Sequence, residues 1–216
     1  MNHENKPAAQ ASFLSVKSVK RNQGKAEITL SSGELIIMPR CMLRERPYKA
    51  GVPFDAASHK EWIQHRAYAF ALDKAISLLS VRSRTEHELA KAIRDCAFDE
   101  SVIDRVMARL QQAGYIDDAD FAEHWVSSRT SKGLGTQRIR MELRQKGVGQ
   151  PQIDQALSGI DHDSILQGAI KAAEKAARGR NLAEHSDRQK ILAALARRGF
   201  DFSTAKQALQ HVLSHQ

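Results

Sequence analysis

The chain has 216 residues, 33 basic and 25 acidic side chains, and a net charge of +8. Apolar residues make up 42% and charged residues 27%, which excludes a disordered or fibrous chain. Cys41 and Cys96 are too few for a disulfide framework or a Cys-rich zinc site, and no apolar run approaches the ~20 residues of a membrane span. With no apolar stretch near residue 1, these features predict a soluble protein in a reducing, cytoplasmic compartment, and the lack of a sustained heptad pattern predicts a monomer. The charge is uneven, net +5 over residues 1–66, −2 over 67–118, +1 over 119–161 and +4 over 162–216. Such a balance suits a polyanionic partner without specifying one.

Residues 1–12 read as a tail. "FLSVKSVK", "KAEITL" and "SSGELIIM" alternate apolar and polar side chains and are separated by Gly-containing turns, which predicts three short strands in a meander over 14–38. "RERPYKAGVPFD" reads as a connector that closes a β-rich extension, 13–54. Asp55 is placed to cap a helix running through Trp62.

From residue 67 the chain repeats itself. Leu89, Ile93, Phe98, Ile103 and Met107 recur as Ile139, Leu143, Val148, Ile153 and Leu157, and again as Ile191, Leu195, Phe200, Ala205 and Leu209. Each set opens and closes with a pair one helical turn apart. Ala97, Gly147 and Gly199 precede the middle position, where a helix ends in a left-handed residue. With the amphipathic segments 67–80, 119–131 and 164–178, this predicts three-helix modules that stack on their neighbours. The modules fall at 55–118 (with the bridging helix), 119–161 and 162–216.

Few motifs carry chemistry. "GLGTQR" lacks the third glycine of a dinucleotide fingerprint, and no P-loop pattern occurs. Gly133 and Gly135 then read as a turn and a helix start. Asp117, Asp118 and Asp120 would suit either a divalent cation for nuclease chemistry or the cap and first turn of a helix. The histidines form no metal-binding spacing, and no catalytic constellation, cofactor site or metal site is predicted. The segment "SSRTSKGLGTQRIRMELRQKG" holds Arg129, Lys132, Arg138, Arg140, Arg144 and Lys146 against one acid, Glu142. It reads either as a contact for a polyanion or acidic protein, or as a solvated face. Arg82 and Arg84 in the first repeat, and Arg197 and Arg198 in the third, could extend it into one basic track. A helix over 135–146 acting on DNA in a helix-turn-helix manner is the alternative.

"AISLLSVRSRTEHEL", "QQAGYIDDADFAEHWVSSRTSKGLGTQRIRMELRQKGV" and "LARRGF" resemble, in order, the RecX proteins of bacteria. The likeness covers most of 67–216, and the N-terminal strands resemble the extension of longer members. It implies a mainly α fold of tandem three-helix repeats in an elongated, curved array behind a small β-meander. It also implies a non-enzymatic regulator in DNA repair, homologous recombination and the SOS response. Such a regulator binds RecA and its filaments on single-stranded DNA. It suppresses filament extension, ATP hydrolysis and strand exchange, and binds DNA as well.

Overall fold

The computed structural model describes residues 14–215, so the expected tail over 1–12 lies outside the described residues. Strands β1 (Leu14–Arg21), β2 (Lys25–Leu30), β3 (Leu35–Pro39) and β4 (Pro53–Phe54) are followed by nine described helices. These are α1 (Ala56–Leu79), α2 (Glu86–Arg94), α3 (Glu100–Gln112), α4 (Asp118–Ser131), α5 (Thr136–Gln145), α6 (Gln150–Ser158), α7 (His162–Ala177), α8 (His185–Arg197) and α9 (Phe202–Ser214). The chain forms two compact units. One comprises the residues up to Val81 with Ala90–Arg109, the other Arg82–Leu89 with Leu110 onward. The division passes through α2 and α3.

In the first unit the three expected strands form, and β4 adds a fourth inside the segment read as a connector. The antiparallel order is β3-β2-β1-β4, with Val19 opposite Ile28 and Ile28 opposite Ile36. The period-2 alternation places Ala26, Ile28 and Leu30 of β2 in the interior, each fully buried. A short 3-10 helix, Arg40–Arg44, touches β2, β3 and α1 and buries Met42 and Leu43. Asp55 caps α1 as expected, its carboxylate accepting from the Ala57 and Ser58 amides. The helix runs through Trp62 as expected. It continues to Leu79, so the expected bridging helix and the first repeat's leading helix are one element. Its buried line is Ala67, Ala71 and Ala75, small side chains at helical spacing that allow close packing.

The connector docks on α1 through polar contacts. Arg46 donates to the Ser58 carbonyl at 2.9 Å and lies over the Trp62 ring. The buried His59 ring nitrogen Nδ1 pairs with the Tyr48 hydroxyl at 2.5 Å. Burial, and then the Arg46 charge, hold the His59 imidazole below its ordinary pKa of 6.5. The folded state thus keeps His59 neutral where the unfolded chain would protonate it.

In the second unit Ala122, Val126, Ile139, Leu143, Val148 and Ile153 form one core, and Ile165, Ala169, Ile191, Leu195, Phe200 and Leu209 belong to the next. Every repeated apolar position is buried except Leu157, which packs at the edge of its core. The predicted left-handed residues are present: Ala97 at φ 65°, Gly147 at 80° and Gly199 at 87°.

His59 contributes stability that is complete above about pH 6.5 and is lost as the pH falls below it. The urea midpoint read from Trp62 fluorescence in a Trp125→Phe background should drop between about pH 7.5 and about pH 5.5, and less so in His59→Gln. Ala97 holds a conformation that costs a side chain about 1 kcal/mol, so Ala97→Gly should stabilise by up to that amount. Gly199→Ala adds a Cβ that would run into the Arg138 backbone, and should destabilise by about 2 kcal/mol or more. Chemical denaturation of the three proteins checks the opposite signs.

Candidate functional site

The expected basic residues lie at two junctions and on one outer helix face. The first junction is the start of α2. The Thr85 hydroxyl accepts from the Glu88 amide at 3.1 Å and donates to the Lys146 carbonyl at 2.6 Å. The turn at Lys146–Gly147, which ends α5, therefore sits on the start of α2, with Gly147 against the His87 side chain. Asp118 caps the same helix start by accepting from the Glu86 amide at 2.9 Å. Burial raises the Asp118 carboxyl above its ordinary range, the Glu86 amide opposes this, and the Asp117 and Glu88 charges add to it.

Around this junction the cations are engaged. Lys146 Nζ donates to Glu88 at 2.7 Å and lies 4.3 Å from the Trp125 ring centre. Arg82 pairs with the same carboxylate at 2.9 Å. Burial opposes ionisation of Glu88, but these two hydrogen bonds outweigh it and lower its pKa. Arg129 pairs with Glu142 at 2.8 Å and lies 4.0 Å from the Trp125 ring centre. The Trp125 indole also donates to Glu142, at 3.2 Å, and Arg138 completes the cluster at 3.2 Å. The single acid of the basic segment thus gathers Arg129, Arg138 and Trp125. Trp125 was not among the residues singled out from sequence. Arg84, at the same junction, is half-buried.

The second junction repeats the first one module later. The Gly135 amide donates to the Arg198 carbonyl at 2.9 Å, and the Gln137 amide to the Gly199 carbonyl at 3.1 Å. Arg198 reaches back to the Gly133 carbonyl at 3.2 Å. Gly133, at φ 68°, and the N-cap Gly135 are the turn and helix start that the sequence suggested. Lys132 and Arg197 are exposed and have no ion-pair partner among the described residues.

On the outer face of α5, Arg140 pairs with Asp154 of α6, and Arg144 donates to Gln150 at 2.7 Å. The Gln150 amide and then Arg140 hold the Asp154 carboxyl below its usual range. With a side chain 53% exposed, Asp154 leaves this pair in water. The structure thus brings Arg82, Arg84, Arg129 and Lys146 to one junction and Lys132, Arg197 and Arg198 to the other. Arg140 and Arg144 stand apart from both.

Asp117, Asp118 and Asp120 take helix-start positions. Asp117 is the N-cap of α4 and accepts from the Ala119 and Asp120 amides. Among the described residues no group of three His, Cys, Asp or Glu side chains is placed to hold a metal ion. No described helix is long and apolar enough to cross a membrane. Glu142, only 17% exposed, accepts from three donors. Glu142→Ala should therefore cost about 1–3 kcal/mol in urea denaturation, far more than the same change at the exposed Glu100.

Residues 71–110, 117–157 and 163–209 match, in order, the first, second and third three-helix domains of RecX. The regulatory protein RecX of Chlorobium phaeobacteroides (strain BS1) is 38% identical over 143 residues, covering 66% of this chain and 93% of that protein. The regulatory protein RecX of Amycolatopsis mediterranei (strain U-32) is 37% identical over 135 residues, covering 62% and 77%. A crystal structure of a regulatory protein RecX shares the fold, with a TM-score of 0.64 and 23% identity over 92% of this chain and 100% of that one.

Proposed function

The chain belongs to the RecX family, and from that premise we propose that it is a non-enzymatic, monomeric regulator of the RecA recombinase in the bacterial cytoplasm. It binds RecA and RecA filaments on single-stranded DNA and inhibits filament extension, ATP hydrolysis and strand exchange. The observation that supports this best is the match of three consecutive three-helix domains to RecX. A row of modules can engage a repeating assembly at several points, and weak contacts then add through effective concentration.

The cations differ in how readily they reach a partner. Arg129 and Lys146 are tied to half-buried carboxylates and to Trp125. Releasing them would break the junction. Arg140 and Arg144 hold exposed partners that exchange with water at little cost. The outer face of α5 is thus the first surface to contact RecA or phosphate.

The test is RecA's single-strand-stimulated ATPase with this protein titrated in. Arg140→Glu/Arg144→Glu should raise the half-inhibitory concentration by about tenfold while circular dichroism stays unchanged. Full inhibition by the folded variant would exclude this face. DNA binding without RecA separates the alternative, an autonomous DNA-binding protein acting through α5. If Arg140 and Arg144 carry it, the logarithmic salt slope should be roughly −1.4 to −1.8. A slope near zero, with inhibition intact, leaves RecA as the partner.

A further inference from the structure

A second surface lies away from the outer face of α5. A groove of about 1240 Å³ runs between α4 and α7. Its floor is narrow because Gly133 and Gly168 meet there, each backbone within 4 Å of where a Cβ of the other would lie. The α4 wall presents Glu123, Ser127 and Ser131, at spacings that share one helix face. The α7 wall presents Asp163, Gln167, Lys171 and Lys175.

The charges are sorted along its length. Asp161 and Asp163 line it at the start of α7, and Glu123 lines it on α4. Lys171 and Lys175 are one turn apart and follow Gly168, the residue in contact with Gly133. Lys132 and Arg198 flank Gly133 from the other side. Four cations therefore border one part of the groove. Among the described residues Lys132, Lys171 and Lys175 have no ion-pair or side-chain hydrogen-bond partner, and all three are exposed. In the same lining, the Thr130 hydroxyl is buried and makes no hydrogen bond.

We propose that this groove binds an acidic polypeptide segment supplied by another protein. The cationic part takes Asp or Glu side chains, and the hydroxyls and the narrow Gly floor admit a peptide backbone. Two features disfavour nucleic acid. Among the described residues no aromatic ring lines the groove for a base to stack on. A phosphate backbone running its length would meet Asp161, Asp163 and Glu123, whereas a polypeptide can carry acids at one end and neutral or basic residues at the other. This proposal does not rest on the RecA reading, because it concerns residues outside the α5 face and a probe unrelated to RecA.

The experiment is fluorescence anisotropy of a short fluorescein-labelled peptide of alternating Glu and Ala, titrated with the full chain at fixed low salt. A labelled oligothymidylate is titrated in parallel. The expected result is saturable peptide binding that Lys171→Glu/Lys175→Glu weakens by about tenfold or more, two exposed attractions having become repulsions. Arg140→Glu/Arg144→Glu should leave the peptide bound. Arg144, Lys171 and Lys175 are exposed and Arg140 is half-buried, and circular dichroism confirms the folding of both variants. Absent peptide binding, or peptide binding that the Lys171/Lys175 variant leaves unchanged, overturns the proposal. Oligothymidylate binding that this variant abolishes, with no peptide binding, overturns it in favour of a phosphate surface.

Discussion

The fold depends on how a helix start finds acceptors for its free amides. The first N–H groups of any helix lack partners within it. At α5 the N-cap is Gly135, which brings no side-chain acceptor. The acceptors come instead from the Arg198 and Gly199 carbonyls, at the turn that ends α8. That turn can approach so closely because Gly199 has no Cβ and stands in the left-handed region. One residue thus ends a helix, starts another and joins two modules. The junction at α2 is built on the same plan with different chemistry, since Thr85 and Asp118 supply side-chain partners and the Lys146 carbonyl accepts from Thr85.

The same constraint gives the N-terminal sheet a purpose. The turn that ends α2, at Asp95–Ala97, follows no repeat among the described residues. In its own unit it meets Gly24, in the tight turn between β1 and β2. A Cβ at Gly24 would lie 3.0 Å from the Cys96 sulfur and 3.5 Å from the Asp95 carbonyl. The hairpin thus takes the place that a second helix's start holds in the later junctions. No helix amide has to be satisfied there, which explains how Ala97 can stand where the other repeats need glycine.

Much of this was legible because it repeats. Five apolar offsets and a small residue before the middle one are enough to locate the helix pairs, and Asp55 and Asp117 announce helix starts through local hydrogen bonding. Other features depend on distant partners and leave little local trace. β4 is two residues long and exists only because β1 is beside it. The continuity of α1 is hidden by its buried alanines, whose weak apolar contrast makes a poor stripe. The fates of the arginines were unreadable for the same reason. Arg129 and Arg144 look alike in sequence, but only Arg129 lies beside Trp125 and a half-buried Glu142. Lys171 and Lys175, in "IKAAEKAA", read as the solvated side of an alanine-rich helix until Gly168 is seen to meet Gly133.

Net charge is therefore a poor guide to which cations can reach a partner. A Coulombic attraction of similar size costs very different amounts to release in the two settings. At the junction, breaking Arg129–Glu142 or Lys146–Glu88 strips a half-buried carboxylate of one of its two cations, which is expensive. On the surface, breaking Arg140–Asp154 exchanges one hydrated contact for another. The basic segment is thus divided by burial into cations that hold the modules together and cations that can exchange partners. A partner that competes only for the second set would leave the junctions closed.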